Sequence, residues 1–222
     1  MNSPKAQFFD TQADAAWASE DYSAEELAQI GRLMDLAQIG EGMKVLEPGC
    51  GTGRLTRILS DRVGSGGRVL AMDISKRMVE ACLRNVASKA HVEVVCAAVE
   101  DYPFPCREFD AVVCHQVFPH FDDKRGVLSL FAKILKPLGI LVIFHFINSS
   151  QINKMHREAH AAVESDLMPS EGLMREMFAF ADIRIDFLED DENGYLLISH
   201  IEDQIRNGPI SPFRDCRIFE KA

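Results

Sequence analysis

Basic residues are scarce: 24 lysines and arginines stand against 34 aspartates and glutamates, a formal charge of -10 over 222 residues. A chain of that sign repels a phosphate backbone, and no basic stripe interleaved with aromatics offsets it locally, so nucleic acid is not an expected partner. Long hydrophobic runs are missing as well. None approaches the ~18 consecutive apolar residues of a membrane helix, so no membrane span is expected. The opening MNSPKAQFFD lacks the basic-then-apolar order of a secretion signal, and the expected location is the cytoplasm. Cys50, Cys82, Cys96, Cys106, Cys114 and Cys216 include no CxxC pair. That scatter suits buried reduced thiols, most of them in the core, better than disulfides or a zinc site. No internal repeat, Ser-His-Asp arrangement or phosphate-binding lysine loop is evident, so the hydrolase and kinase classes fall away.

What is present fits one domain, since 47% hydrophobic content over this length is enough for one sizeable core. From Met43 onward, short apolar runs alternate with helical patterns. MKVLEP precedes a helix over Arg54 to Asp61; RVLAMD precedes another over Lys76 to Ser88; HVEVVCAA follows; FDAVVCHQ precedes a helix over Lys124 to Leu135; GILVIFHF closes the series. Near-continuous apolar strands joined by helical crossovers indicate an α/β, Rossmann-like, doubly wound and mostly parallel sheet. Seven strands are expected, because ADIRIDFLE and YLLISHIE flank the turn Asp190 to Gly194 and read as a closing antiparallel hairpin. Before the sheet, Leu27, Ile30, Leu33, Met34 and Ala37 have helical spacing behind a lead with Phe8, Phe9, Trp17 and Tyr22. The expected organisation is one domain over 1–202: a helical lid over 1–40, a core over 43–146, then helices and the hairpin over 147–202. A helix holding Met155, His156, Ala159 and His160 is expected, and Pro169-Ser170 signals the start of another. The tail 203–222 carries turn formers and alternating charge, which fit either disorder or an edge segment.

The sharpest feature is VLEPGCGTG, residues 45–53, between an expected strand and an expected helix. Gly49, Gly51 and Gly53 permit tight turning and close approach of a ligand, at the carboxyl end of a parallel strand where such sheets bind. Asp73 follows at the end of the next strand, where a carboxylate can accept both hydroxyls of a ribose. A nicotinamide-dependent oxidoreductase would use GxGxxG facing a pyrophosphate. Here the spacing is GxGxG, and Glu47 just ahead of it suits a cationic or amine-bearing ligand better than a diphosphate.

The residues E-P-G-C-G-T-G and A-M-D-I-S resemble the class I S-adenosylmethionine-dependent methyltransferases, closest to the small-molecule branch with the ubiquinone and menaquinone C-methyltransferases. FFDTQADAAW, AAVEDYPFPCREFDAVVCHQVFPHF, LKPLG and YLLISHI extend the likeness. It implies S-adenosyl-L-methionine as cofactor and a small-molecule methyl acceptor. By the same resemblance Glu47 and the backbone of Gly49, Cys50, Gly51 and Gly53 hold the amino-acid part, and Asp73 the ribose. Met72 and Ile74 flank adenine, Val99 and Glu100 contact its edge, and Cys114 and His115 lie beside the methionine moiety. Two departures stand out. Ala98 occupies the place of the usual adenine-binding acid, which leaves Glu100 or Asp101 for that task. The usual LKPGG turn is Leu135-Lys136-Pro137-Leu138-Gly139, still compatible with a type I turn.

His115, His120, His145, His156 and His160 fall in or just after segments expected to border the pocket. His115, His145, His156 and His160 are the candidate catalytic residues, because an imidazole can take a proton from the acceptor. His156 and His160, four apart on an expected helix, would share a face with His145 nearby. That arrangement would also suit a metal, although no metal site is assigned. An aromatic lid of Phe8, Phe9 and Trp17 would exclude water and favour a sulfonium. A cofactor-binding protein without catalysis remains a second alternative, since the motifs report binding rather than turnover.

Overall fold

The computed structural model describes residues 3–201, so the tail 203–222 lies outside the described residues. The helices α1 (Pro4–Gln12), α2 (Ala16–Ser19) and α3 (Ala24–Leu36) come first, so the N-terminal segment is helical as expected and divided into three helices. Pro4 at the start of α1 loses no helical bond, and Ser3 caps it through Ala6 N. Ser23 and Glu26 form a reciprocal capping box on α3, whose apolar stripe Ile30, Leu33 and Met34 is buried.

The sheet then builds in alternation: β1 (Lys44–Pro48), α4 (Arg54–Val63), β2 (Arg68–Asp73), α5 (Lys76–Asn85), β3 (Val92–Cys96), β4 (Phe109–His115), α6 (Lys124–Ile134) and β5 (Leu135–His145). The chain continues through α7 (Ser149–Arg157) and α8 (Glu171–Phe180) to the hairpin β6 (Ile183–Asp191) and β7 (Gly194–Ile201). The strand order is β3-β2-β1-β4-β5-β7-β6. β1 to β5 pair in parallel, whereas β7 runs antiparallel to both β5 and β6. This is the seven-stranded, mostly parallel doubly wound sheet with a C-terminal antiparallel hairpin. The hairpin inserts its second strand against β5 and leaves the first at the edge, where Arg184, Asp186 and Glu189 carry the charge that keeps an edge from pairing.

The central strands are apolar throughout because both faces are covered. Val45, Val69, Ala111, Val113, Val142 and Phe144 pack on the α3/α4 side, while Leu46, Leu70, Val112, Cys114, Leu141 and Ile143 pack on the α6/α8 side. Successive residues thus enter opposite cores, as the two-residue period of a strand requires. Cys50, Cys82 and Cys114 are buried free thiols, whereas Cys96 is an exposed one. Among the described residues no helix is long and apolar enough to cross a membrane.

Two expectations need correction. α7 ends at Arg157, with Glu158 as its C-cap, so the helix does not reach Ala159 or His160. The LKPLG segment is not a type I turn. Leu138 has φ +63°, the sign that the third position of a type II turn demands and that glycine meets without a Cβ clash. Residues 136–139 loop out of the sheet between the pairs Phe109–Leu135 and Ala111–Ile140. Leu138 is 64% exposed, so no packing repays the conformation. Leu138→Gly should therefore stabilise the protein by about 0.5–1 kcal/mol, the relief of a left-handed leucine less the added freedom of the unfolded chain. Urea unfolding measures this; an equal or lower midpoint would show that the leucine is not strained.

Candidate functional site

A cavity of about 940 Å³ opens at the carboxyl ends of β1, β2, β4 and β5, roofed by α1 and α2. Crossover helices cover both faces of the sheet, so the strand ends are where backbone and side chains remain free for a ligand. Asp73, His115 and His145 are the last residues of β2, β4 and β5, and Glu47 is next to last in β1. All four line the cavity, as do Gly49, Cys50, Gly51, Ile74, Val99, Glu100 and His156. Gly53, Cys114 and His160 do not.

The three loop glycines have different duties. A Cβ on Gly49 would sit 2.3 Å from Cγ2 of Val117, and one on Gly53 would sit 2.7 Å from Sγ of Cys82. Both are required by close packing. Gly51 has φ +54°, and a Cβ there would meet nothing within 4 Å. It is the glycine whose missing side chain leaves open space. Cys114, expected beside the ligand, is fully buried in the α6/α8 core, because alternation along β4 turns it away from the face that His115 joins.

Burial governs the electrostatics. Glu47 is 2% exposed and its Oε2 has no hydrogen-bond partner. Desolvation pushes its carboxyl well above the ordinary range, only partly opposed by a hydrogen bond from Thr56. Asp73 Oδ2 accepts from Gly51 N at 2.9 Å and Oδ1 from Ser75 N at 2.8 Å, so it shapes the loop while keeping a lone pair on each oxygen. Its carboxyl is raised to about 6, by burial first, against the pull of those backbone bonds.

His115 stacks on Phe144 with ring centroids 5.3 Å apart and meets Phe146 edge-on at 4.9 Å. Its Nδ1 lies 3.4 Å from Tyr22 Oη, and its Nε2 is buried without a partner. Burial, with Arg54 nearby, lowers its pKa to about 3. His145 Nε2 is likewise buried and unpartnered, and burial holds that ring well below the usual imidazole range, helped by His115, His120 and His156. Both rings are therefore neutral hydrogen-bonding groups in the free protein rather than ready proton acceptors.

Of the three histidines expected to converge, His145 and His156 line the cavity and His160 does not. His156 is buried and its Nδ1 donates to the carbonyl of Asp166. His160 is exposed beyond the end of α7, stacks on Phe8 at 5.3 Å, and accepts from Ala162 N. Among the described residues no group of three or more His, Cys, Asp or Glu side chains is placed to hold a metal ion. Phe8, Phe9, Trp17 and Tyr22 all line the cavity.

Sequence reasoning missed Arg54, which lines the cavity with its guanidinium 3.7 Å over the Tyr22 ring and its Nε buried without a partner. Its place directly after the glycine loop was the available signal. It also left His120 without a role, although that ring lines the cavity and pairs with Asp166.

Residues 46–143 match the family described as methyltransferase domain. The ubiquinone/menaquinone biosynthesis C-methyltransferase UbiE of Cronobacter sakazakii is 32% identical over 142 residues, 63% of this chain and 56% of that one. The chain thus spans little more than half the length of the curated relatives it matches. A SAM-dependent methyltransferase from Aquifex aeolicus superposes with a TM-score of 0.64 at 20% identity, covering 88% of this chain and 96% of that one. An S-adenosylmethionine-dependent methyltransferase from Mesorhizobium loti gives 0.64 at 14% identity, over 80% and 98%.

The neutral His115 makes a test. An imidazole whose folded pKa lies below its unfolded value is protonated first in the unfolded chain, so stability is lost as pH falls from about 6.5 towards about 3. The rise of Glu47 and Asp73 acts in the opposite direction, so the comparison must be with a variant that differs at this ring alone. Relative to His115→Phe, the wild type should lose up to ~1.4 kcal/mol per pH unit below about 6.5. Parallel stability curves from pH 7 to 4.5 would show that the ring is not held neutral.

Proposed function

We propose that this chain, a class I S-adenosylmethionine-dependent methyltransferase by sequence match and fold, moves the methyl group of S-adenosyl-L-methionine to a small molecule in the cytoplasm. One observation carries the reading: a buried, unpartnered carboxylate oxygen on Glu47 beside the open face of Gly51 and the ribose-competent Asp73. The bound donor supplies an electrophilic methyl on a sulfonium. Everything else is a matter of what the protein holds and excludes.

Glu47 takes the ligand's ammonium, which returns its carboxylate to the ionised form that burial disfavours. The guanidinium of Arg54, with a free buried Nε, offers the counterpart for a carboxylate. Asp73 accepts the ribose hydroxyls with the lone pairs left over from Gly51 and Ser75. Gly49, Cys50 and Gly53 shape the loop, Met72 and Ile74 flank adenine, and Val99 and Glu100 contact its edge. The donor set fits this cofactor and fits a dinucleotide poorly, because Glu47 would face a pyrophosphate of its own sign.

His115, His145 and His156 form the acceptor side. With neutral rings and free Nε2 atoms, His115 and His145 hydrogen-bond and orient the acceptor, and α1 and α2 close the cavity against water. Alignment of acceptor, methyl and sulfur in a dry site then supplies much of the rate. His160 orders the lid through Phe8. We take residues 1–202 as one functional unit on this reading.

Titration calorimetry with S-adenosylhomocysteine and, separately, NADH tests the assignment: binding of the first alone is expected, and binding of NADH alone would reject it. Asp73→Ala should weaken S-adenosylhomocysteine at least tenfold, the worth of two hydrogen bonds to a charged acceptor. In the wild type the affinity should fall as pH drops below about 6, where Asp73 takes up a proton. A flat pH profile in a binding-competent protein would remove Asp73 from the ribose. Gly51→Val should lose binding as well; a folded variant that binds normally would show that the open space at Gly51 is not the ligand's.

A further inference from the structure

Three cavity-lining residues from three different segments converge on one residue that does not itself line the cavity. Asp166 lies between α7 and α8, with its side chain 8% exposed. Its Oδ1 receives Lys5 Nζ from α1 at 3.0 Å, and its Oδ2 receives His120 Nδ1 from the turn after β4 at 2.8 Å. Its backbone carbonyl receives His156 Nδ1 from α7.

The geometry is over-determined. An ammonium has three protons, and Lys5 Nζ has three acceptors: Asp166, the His120 carbonyl at 2.7 Å and Asp122 at 2.7 Å. Phe9 meets the His120 ring edge-on at 5.0 Å, so the same contact seats an aromatic of the lid. The other end of α1 is tied beside the glycine loop, where Asp10 accepts from Ser75 Oγ at 2.6 Å and from Arg77 N at 3.1 Å. Removing the Asp166 carboxylate would loosen this end of the roof, leaving Lys5 only the His120 carbonyl and the exposed Asp122, while the other end stays attached.

Asp166 also fixes protons. A carboxylate and a carbonyl can only accept, so both imidazoles must carry their proton on Nδ1 towards Asp166. The lone pair of each neutral ring is then on Nε2. A hydrogen bond to one ring nitrogen setting the role of the other is the means by which a carboxylate orients a histidine for proton transfer.

We propose that Asp166 is a positioning residue, which holds α1 closed over the cavity and fixes His120 and His156 as Nδ1-protonated tautomers with the Nε2 lone pairs free. His120 then joins the acceptor side as the imidazole best set to accept a proton. Burial lowers its basicity, and the Asp166 carboxylate opposes that. The groups facing it are Asp166, Lys5 and His156, with Phe9 on its edge. The identity of the ligand beneath the lid rests on the function proposed above; the clamp and the tautomers do not.

Two measurements decide it. Imidazole nitrogen shifts at pH 7.5 should show protonated Nδ1 and bare Nε2 on His120 and His156 in the free protein, and His120 should lose that pattern in Asp166→Ala. The fluorescence of Trp17, the lone tryptophan and a cavity-lining residue, reports release of S-adenosylhomocysteine. Asp166→Asn should speed release at least tenfold, Lys5→Met comparably, and the double variant little more than the stronger single one, because both remove the Lys5–Asp166 pair. If Asp166→Asn does not fold, Lys5→Met alone must show the acceleration. Nε2-protonated rings in the wild type, or unchanged release from folded variants, would overturn the proposal. A wild type that fails to bind S-adenosylhomocysteine would instead overturn the proposed function, with the nitrogen shifts still judging Asp166.

Discussion

A carboxylate buried without a partner is the constraint on which the site depends. Glu47 enters the cavity because β1 is central, and covered on both faces by helices. Once there it cannot be hydrated, and Thr56 bonds it only in part. An unsatisfied buried polar group costs more than a made hydrogen bond returns, so such an atom persists where something outside the chain completes it. The open backbone at Gly51 and the spare lone pairs of Asp73 stand within the same cavity. On the proposed reading they together suit a ligand with a cationic end and hydroxyls.

The roof follows from that demand. Burial of the strand ends needs a cover, and α1 and α2 provide it through polar ties at both sides of the cavity rather than through a large apolar interface. Thr52 donates to the Ala18 carbonyl and Arg77 pairs with Asp14 near the glycine loop, while Lys5 engages Asp166 far across the cavity. A cover held by a few charged contacts can be released without unfolding the core, because little apolar area separates with it. Trp17, 53% exposed at the rim, marks where that cover meets solvent.

The parallel sheet was legible because its strands are buried on both faces and read as apolar runs, and its helices carry their caps at the residues that start them. RVLAMD is β2 without change, and Ser170 caps α8 as the sequence signal indicated. The glycine loop and Asp73 were legible for the same local reason. What failed was non-local. His160 looked like a helical partner of His156 on spacing alone, yet α7 closes one turn early with Glu158 at its C-cap. Cys114 is adjacent in sequence to a cavity residue and for that very reason faces the opposite core. Asp166 gave no periodic or motif signal and Arg54 only its place after the glycine loop, because their importance comes from Lys5 and Tyr22, which lie 161 and 32 residues away in the chain.

Desolvation drives every ionisable group that it reaches in this cavity towards neutrality: Glu47 and Asp73 upward, His115, His120 and His145 downward. The free site therefore holds less charge than its formal composition implies, which lowers the cost of keeping it buried. On the proposed reading, arrival of an ammonium beside Glu47 reverses that trend at one group only, since an opposite charge in a low-dielectric site outweighs the solvation it replaces. The carboxyl gives up its proton as the ligand settles, while burial keeps His115, His120 and His145 neutral. The donor side is then ionic and the acceptor side uncharged, within one cavity. That division follows from where each strand happens to end, and it suits an acceptor oriented by hydrogen bonds rather than by charge.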